Sequence, residues 1–220
     1  MVTFQTTRKI LQIFCFYLIP ILASSFIFFQ ELTGKDSFTT AILYGTIAMY
    51  LLISTLFLKP LSIFFPKILL FKQLLPLRKE FGVLIFWFAL LHTIILSYHV
   101  GVLPIEALLF SPNPLTDFLF WGSLGFVIIV ALGITSNKIA AKKLGRRWKQ
   151  LHYLAYPALG FVALHQYFNS GTLIFIAIFL LFVVVRISAY VVQKKRLARA
   201  QQQAQEKIRA QEPAQAVQGE

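Results

Sequence analysis

Long apolar runs, each about twenty residues in length, alternate with shorter polar or basic segments along the chain. At about 1.5 Å per residue, a helical run of this length crosses the roughly 30 Å hydrocarbon core of a bilayer. The apolar positions do not alternate with a period of two, and a backbone in lipid must satisfy its own hydrogen bonds, so helices are indicated rather than a β-barrel. Six spans are predicted, at residues 10–29, 39–58, 81–100, 115–135, 151–168 and 173–192.

The composition agrees with a membrane location. Of the 220 residues, 58% are apolar and only 13% are charged, and the mean hydropathy is +0.73. Soluble domains carry about 25% charged residues. We therefore predict an all-α membrane protein built as a bundle of six transmembrane helices.

The basic residues are divided unevenly between the two sides of this predicted bundle. Every Lys and Arg except Lys35 precedes the first span, lies in the loop after the second or fourth span, or lies at the inner end of the last span or beyond it. Segments rich in Lys and Arg stay in the cytoplasm. Both termini are therefore predicted to be cytoplasmic. The net charge of +13 then reflects orientation in the lipid bilayer and not nucleic-acid binding.

The chain has four histidines, and all of them lie in or beside the apolar spans. Such side chains are costly in lipid, so several together indicate a cofactor held between helices. His92 lies 11 residues from the inner end of the third span and His165 lies 14 residues from that of the fifth, which places them about 16 and 21 Å deep. These two imidazoles are predicted to bind one haem iron from opposite faces. With both axial positions filled, the iron is suited to outer-sphere electron transfer and not to oxygen chemistry.

The other two histidines fit this site less well. His152 lies at the inner surface, about 15 Å from the depth of His92, which is too far for a shared iron. His99 is seven residues beyond His92 and can serve an outer acceptor. For both residues, an interhelical hydrogen bond is the alternative role. Because Cys15 is the only cysteine, no disulfide and no covalent haem attachment can form within the chain, so any haem is predicted to be held non-covalently.

The composition changes after residue 192. Residues 1–192 are predicted to form the six-helix haem-binding domain, with the first span an uncleaved anchor. Residues 193–220 are predicted to form a basic, Gln- and Ala-rich cytoplasmic tail, helical at first and disordered towards its end. The tail is too short for a flavin or nicotinamide domain and no G-x-G-x-x-G turn occurs, so the electron source is another molecule.

Four segments resemble a known family. They read LRKEFG at 77–82, LLH at 90–92, LGRRWKQLH at 144–152 and ALHQY at 163–167. Together they resemble the ferric-reductase-like transmembrane family, and within it the haem-binding subunits of periplasmic methionine-sulfoxide reductase systems. The resemblance implies six helices, b-type haem, and electron transfer across the inner membrane to a periplasmic molybdopterin reductase. It also places His92, His152 and His165 on the family's haem-associated histidines.

The chain departs from the larger members of this family at one position. Those members stack two haems, using histidines 13 or 14 residues apart on each of two helices, whereas the residue 14 before His92 is Arg78. His152 therefore either holds a second haem with an unusual partner or faces a quinone or a flavin such as FMN. Arg78 and Arg186 complete the set of candidate cofactor-binding residues. Arg186 either pairs with a haem propionate or snorkels to the inner interface.

Three functions are left open by the sequence. The first is a transmembrane electron conduit, fed by a quinol or a cytoplasmic flavin reductase, which acts as one subunit of an oxidoreductase. The second is a stand-alone reductase of ferric or other metal ions at the outer face. The third is a haem-free transporter or assembly scaffold, which predicts a colourless protein where the others predict a reducible Soret band. The identity of the acceptor rests on the family resemblance alone.

Overall fold

The described part of the chain is helical. The computed structural model describes residues 9–10, 12–34 and 36–216 and, within them, all side chains except those of residues 16, 72 and 207–216. A π-helical turn at Phe14–Leu18 precedes the first α-helix, a 3-10 turn at Leu75–Leu77 precedes the fourth, and no strand occurs in these ranges. In chain order the α-helices are α1 (Ile19–Leu32), α2 (Phe38–Phe64), α3 (Leu69–Leu74), α4 (Arg78–Val100), α5 (Pro104–Phe110), α6 (Phe118–Thr135), α7 (Lys138–Leu144), α8 (Arg146–His152), α9 (Ala155–Ser170) and α10 (Ile174–Ala216).

The structure agrees with an all-helical membrane protein. Among the described residues, four helical segments are long and apolar enough to cross a bilayer: Phe38–Phe64, Leu69–Val100, Phe118–Thr135 and Ile174–Glu206. Helix α1 has 14 residues and α9 has 16, so both are shorter than the ~20 residues of a full crossing. The count of six spans and the cytoplasmic position of both termini therefore stay predictions.

The predicted span 151–168 is interrupted in the structure. Helix α8 ends at His152 and α9 begins at Ala155. Pro157 lies in the first turn of α9, where its missing N–H removes no intrahelical hydrogen bond. His152 and His165 therefore lie on two different helices, and the prediction that they share one helix is wrong.

Two closely packed helix pairs form the centre of the bundle. Helix α2 packs along α4, and α6 packs along α9, while α4 and α6 join the two pairs. Helix α10 lies against α9 and α2. A buried core fills the space where these five helices meet, with Ala48, Leu52, Leu56, Ile85, Ala89, Ile129, Leu159 and Phe182 at its centre. Part of this core also lines the cavity that contains the candidate functional site.

Left-handed glycines end the two central helices that carry His92 and His165. Gly101 ends α4 with φ 73°, and Gly171 ends α9 with φ 70°. Each donates its N–H back into the last turn, to the carbonyls of Ser97 and Tyr167 respectively. A residue with a Cβ is strained at such a φ, so glycine allows both helices to stop abruptly at this end of the bundle.

Helix α10 continues without a break through residue 192, where the sequence predicted the domain to end. The guanidinium of Arg196 donates a 2.8 Å hydrogen bond to the carbonyl of Ile63, in the last turn of α2. Carbonyls in the last turn of a helix have no partner within that helix, and a cation there also favours the helix dipole. The first part of the predicted tail is therefore tied to the bundle.

Candidate functional site

A cavity of about 280 Å³ lies between α2, α4, α6 and α9. Its floor is formed by core residues, among them Ala48, Leu52 and Ile129. Polar side chains are few along its wall: Thr46, Thr93, Ser97, Ser123, Gln166 and Asn169. A largely apolar chamber with a small number of polar groups is typical of a site for a cofactor or another small molecule.

His92 reaches this cavity from α4. Its Nδ1 donates a 2.8 Å hydrogen bond to the carbonyl of Ala41 on α2. The ring lies directly against Gly45, where a Cβ atom would come within 2.6 Å of Nδ1. Glycine at this position is therefore required for the imidazole to approach α2 so closely.

His165 reaches the cavity from α9 in the same way. Its Nδ1 donates a 2.8 Å hydrogen bond to the carbonyl of Phe118 on α6. Its ring lies against Gly122, where a Cβ atom would again come within 2.6 Å of Nδ1. The two halves of the site are therefore built in the same way. One helix carries the histidine, and the helix packed against it supplies the accepting carbonyl and, four residues later, the glycine.

The two imidazoles lie close to each other. Their ring centroids are 6.5 Å apart and the ring planes differ by 80°. Because each Nδ1 carries a proton donated to a backbone carbonyl, each Nε2 is the nitrogen left with a free lone pair. A carbonyl partner of this kind fixes the tautomer and orientation of a metal-binding histidine and raises its basicity.

The spacing of the two imidazoles fits an iron whose other ligands come from a macrocycle and not from the protein. Two imidazoles on opposite sides of one metal, with bonds of about 2 Å, have ring centroids about 6.3 Å apart, close to the 6.5 Å observed here. A metal held by protein side chains alone generally uses three or more of them, and no group of three His, Cys, Asp or Glu suited to a metal occurs among the described residues. The two histidines and the apolar cavity therefore fit a haem.

His152 lies apart from this pair. Its ring stacks on Trp148, with centroids 4.1 Å apart, and its Nε2 is 3.4 Å from the hydroxyl of Thr135. The indole of Trp148 donates to the carbonyl of Thr135 at 2.9 Å. The structure therefore ties His152 to the last turn of α6, and His152 does not line the cavity that contains His92 and His165.

His99 lies near the other end of α4 and is exposed. Its Nε2 is 2.9 Å from the hydroxyl of Ser37, which in turn donates to the carboxylate of Glu31. His99 thus joins the end of α4 to the loop between α1 and α2. It does not line the cavity.

The two arginines with predicted roles at the cofactor lie away from the cavity. Arg186 donates from Nε to the hydroxyl of Tyr156 at 3.3 Å. Along α4, Arg78 precedes His92 by 14 residues, or about 21 Å. Neither arginine lines the cavity that contains the histidine pair.

Gly45 and Gly122 were not identified from the sequence. Each is a single glycine in an apolar helix, and small residues in membrane helices mark places where another group approaches the backbone closely. The spacing Ala41 to Gly45 is repeated at Phe118 to Gly122. That repeat was visible in the sequence, but only the structure pairs each glycine with a histidine.

Two imidazoles 6.5 Å apart that line one cavity inside an apolar helical bundle are the arrangement expected of a membrane redox protein that encloses a metal macrocycle. The chain belongs to the ferric-reductase-like family: the family model described as "Ferric reductase like transmembrane component" matches residues 44–163. The matched region includes Gly45, His92 and Gly122 and ends two residues before His165. The family predicted from the four sequence segments is therefore confirmed.

One curated relative is similar over part of its length. The chain is 35% identical over 88 residues to the protein-methionine-sulfoxide reductase heme-binding subunit MsrQ of Brucella anthropi, and the match covers 40% of each chain. The matched segment thus spans about two fifths of that relative. No solved structure gave a significant match to this chain.

The separate position of His152 leads to a prediction. Replacing His152 by Ala is expected to leave the absorbance of the haem at His92 and His165 unchanged in position, because His152 contacts Trp148 and Thr135 outside the cavity. Absorption spectra and the haem-to-protein ratio of the purified variant measure this. A fall in the ratio with an unshifted remaining spectrum would indicate a second haem at His152. Loss of all haem would contradict the separation of the two sites.

Proposed function

We propose that this chain is a b-type haem-binding, electron-transferring subunit of the bacterial inner membrane. The observation that carries this proposal is the pair of opposed imidazoles, each fixed through Nδ1 to a carbonyl and 6.5 Å from the other. The topology that goes with it has six spans, with α1 and α9 crossing as short helices and both termini in the cytoplasm. The basic loops between the second and third spans and between the fourth and fifth support this orientation.

In this mechanism the protein supplies ligands, orientation and exclusion of water. The Nε2 atoms of His92 and His165 would hold the iron, and the carbonyls of Ala41 and Phe118 keep both rings in the tautomer that this requires. The haem would supply one-electron chemistry at its iron. Two histidine ligands would leave no position at the metal for a small-molecule substrate, so the site is suited to electron transfer.

The proposed donor and acceptor are separate proteins or small molecules. The name of the Brucella relative, a heme-binding subunit of a protein-methionine-sulfoxide reductase, supports a methionine-sulfoxide reductase as the acceptor. The proposed acceptor is periplasmic and carries a molybdopterin cofactor. A quinol or a cytoplasmic flavin reductase is the proposed donor. FMN or a quinone near His152 is the proposed route of entry from that side.

The proposal is tested with the full chain reconstituted in lipid vesicles. After the haem has been reduced with a limiting amount of dithionite, addition of a periplasmic molybdopterin reductase together with methionine sulfoxide is expected to reoxidise it. Methionine sulfoxide alone should not do so, and the reductase alone should take up no more electrons than its own cofactor accepts. The measurement is the decay of the reduced haem absorbance in stopped flow, with heat-inactivated reductase as the control.

The description of the matching family favours one second candidate, a stand-alone ferric reductase. In the same vesicles, a ferric chelate replaces the partner protein. Reoxidation by the ferric chelate as fast as by the reductase with its sulfoxide would overturn the subunit assignment and favour metal reduction at the outer face.

A further inference from the structure

The cavity opens towards the end of the bundle where α4 and α9 stop at Gly101 and Gly171. Helices α2 and α6 begin at this same end. The hydroxyl of Ser37, just before α2, is 2.9 Å from the Nε2 of His99 in the last turn of α4. The carbonyl of the first residue of α6 likewise accepts from His165 on α9. We call this end, marked by Gly101 and Gly171, the glycine end of the bundle. In the proposed topology it faces the periplasm.

The described side chains that line the cavity on the far side of the imidazoles, away from the glycine end, are all apolar. They include Met49 and Leu52 on α2, Ala89 on α4, Phe126 and Ile129 on α6, and Val162 on α9. A carboxylate placed among these side chains would lose its water and gain no hydrogen-bond donor from them, which is costly. This half of the cavity therefore fits only an apolar part of a ligand.

The polar side chains of the cavity wall lie at the level of the imidazoles or between them and the glycine end. Those at the level of the rings directly follow Gly45 and Gly122, and the others follow the histidine of their own helix. The first group is Thr46 and Ser123, and the second is Thr93, Ser97, Gln166 and Asn169. None of the described residues that line the cavity is Lys, Arg, Asp or Glu. The polar half of the cavity therefore offers neutral groups and no cation.

A haem has the same division of polarity as this cavity. One edge of the macrocycle carries two propionate carboxylates, and the opposite edge of a b-type haem carries only methyl and vinyl groups. Because the carboxylates cannot be buried among apolar side chains without a large cost, the haem fits the cavity in one direction. The propionates point to the glycine end.

Three side chains at the glycine end are suited to bind these carboxylates. Each of the amide groups of Gln166 and Asn169 carries two N–H donors, and the hydroxyl of Ser97 carries one donor. Ser97 and Gln166 are half-buried and Asn169 is exposed, so the donors extend from the cavity wall to the surface. Hydrogen bonds to an ionised acceptor are stronger than those between neutral groups.

We propose that Ser97, Gln166 and Asn169 hold the propionates of the haem at the glycine end, through neutral hydrogen bonds and not through arginine. This inference rests on the proposed function. The carboxylate-bearing edge of the haem is then the edge nearest to the periplasmic acceptor. Arg186, for which the sequence left a propionate partner open, donates instead to Tyr156, which precedes His165 by nine residues on the far side of the imidazoles.

The test compares haem with its dimethyl ester, in which both carboxylates are blocked. The full-length apo-protein in a mild detergent is titrated with each ligand, and the Soret absorbance gives the two dissociation constants. The ester is expected to bind the wild type about tenfold more weakly than the free acid. Gln166→Leu and Asn169→Leu are each expected to reduce this preference about threefold, and the double variant further. A variant that only disturbs the shape of the cavity would weaken both ligands equally and leave the preference unchanged.

Ser170→Ala is the matched control, because Ser170 is an exposed polar neighbour of Asn169 that does not line the cavity. It is expected to keep the wild-type preference, as is Arg186→Gln. A wild-type preference in the double variant Gln166→Leu/Asn169→Leu, or an equal reduction in Ser170→Ala, would overturn the proposal. A reduced preference in Arg186→Gln alone would place the propionates at the opposite end and overturn it as well. Each of these results leaves the proposed function intact, whereas a wild type that binds neither ligand would refute both.

Discussion

Replacement of His92 or His165 by Ala is expected to abolish the Soret absorbance of the purified protein. Each imidazole would supply one of the two protein ligands of the iron, and no group of three metal-binding side chains occurs among the described residues to replace it. Loss of either ring is expected to reduce the haem-to-protein ratio at least about tenfold. The measurement is the spectrum of the dithionite-reduced protein, together with the haem content after extraction into pyridine.

The control for this experiment is His99→Ala. His99 lies on the same helix as His92, but it is bonded to Ser37 outside the cavity, so its loss is expected to leave the spectrum unchanged. Free imidazole added to His92→Ala or His165→Ala is expected to restore part of the absorbance, because the truncated side chain leaves room for it. A histidine with a purely structural role would show no such rescue. Wild-type spectra in both alanine variants would refute the haem site altogether.

Gly45→Ala and Gly122→Ala are expected to have the next largest effect, a loss of haem affinity of about 10- to 100-fold. A Cβ at either position would lie 2.6 Å from the Nδ1 of the facing histidine, so the ring must move and its hydrogen bond to Ala41 or Phe118 must break. The affinity is measured by titrating haem into the apo-protein. The double variant is expected to bind more weakly than either single variant.

The thermal stability of the apo-variants shows whether a glycine substitution weakens haem binding by altering the site or by destabilising the fold. Ala in place of Gly favours a helix by about 0.5–1 kcal/mol. The midpoint temperature of thermal unfolding of the apo-variants is therefore expected to be unchanged or slightly higher. Gly82→Ala on α4 is the matched control, because nothing lies within 4 Å of its added Cβ. It should keep wild-type haem affinity. Equal affinity in Gly45→Ala, Gly122→Ala and Gly82→Ala would show that the imidazoles need no close approach to the backbone.

Much of the architecture could be predicted from hydropathy, because lipid imposes one requirement on every spanning segment. The predicted span 81–100 differs from α4 by three residues at its start, and 115–135 differs from α6 by the same number. Asp117 sets the start of α6, since its carboxylate accepts the N–H of Leu119. The number of full crossings could not be settled in this way. Apolar composition alone does not reveal that α8 ends at His152 and that α9 is only 16 residues long.

The two halves of the candidate site differ in how far they could be predicted. Similar depth was enough to pair His92 with His165, and the structure brings these two rings to a centroid distance of 6.5 Å. The partners of the rings could not be predicted, because Ala41 is 51 residues from His92 and Phe118 is 47 from His165. Every residue type has a backbone carbonyl, so the sequence does not show which carbonyl accepts a histidine N–H. Glycine occurs in helices for several other reasons, so its presence alone does not indicate contact with an imidazole. The surroundings of Arg78 and Arg186 likewise depend on how α4, α9 and α10 pack, so their roles at a cofactor stay predictions.

Helix α2 contacts both the segment beyond residue 192 and the candidate site. About 36 Å of helix α10 extends past residue 192, and Arg196 near its base donates a hydrogen bond to the carbonyl of Ile63 at one end of α2. Towards the other end of α2, Ala41 and Gly45 contact the imidazole of His92. A single helix therefore connects the Gln- and Ala-rich segment with one of the two histidines that line the cavity.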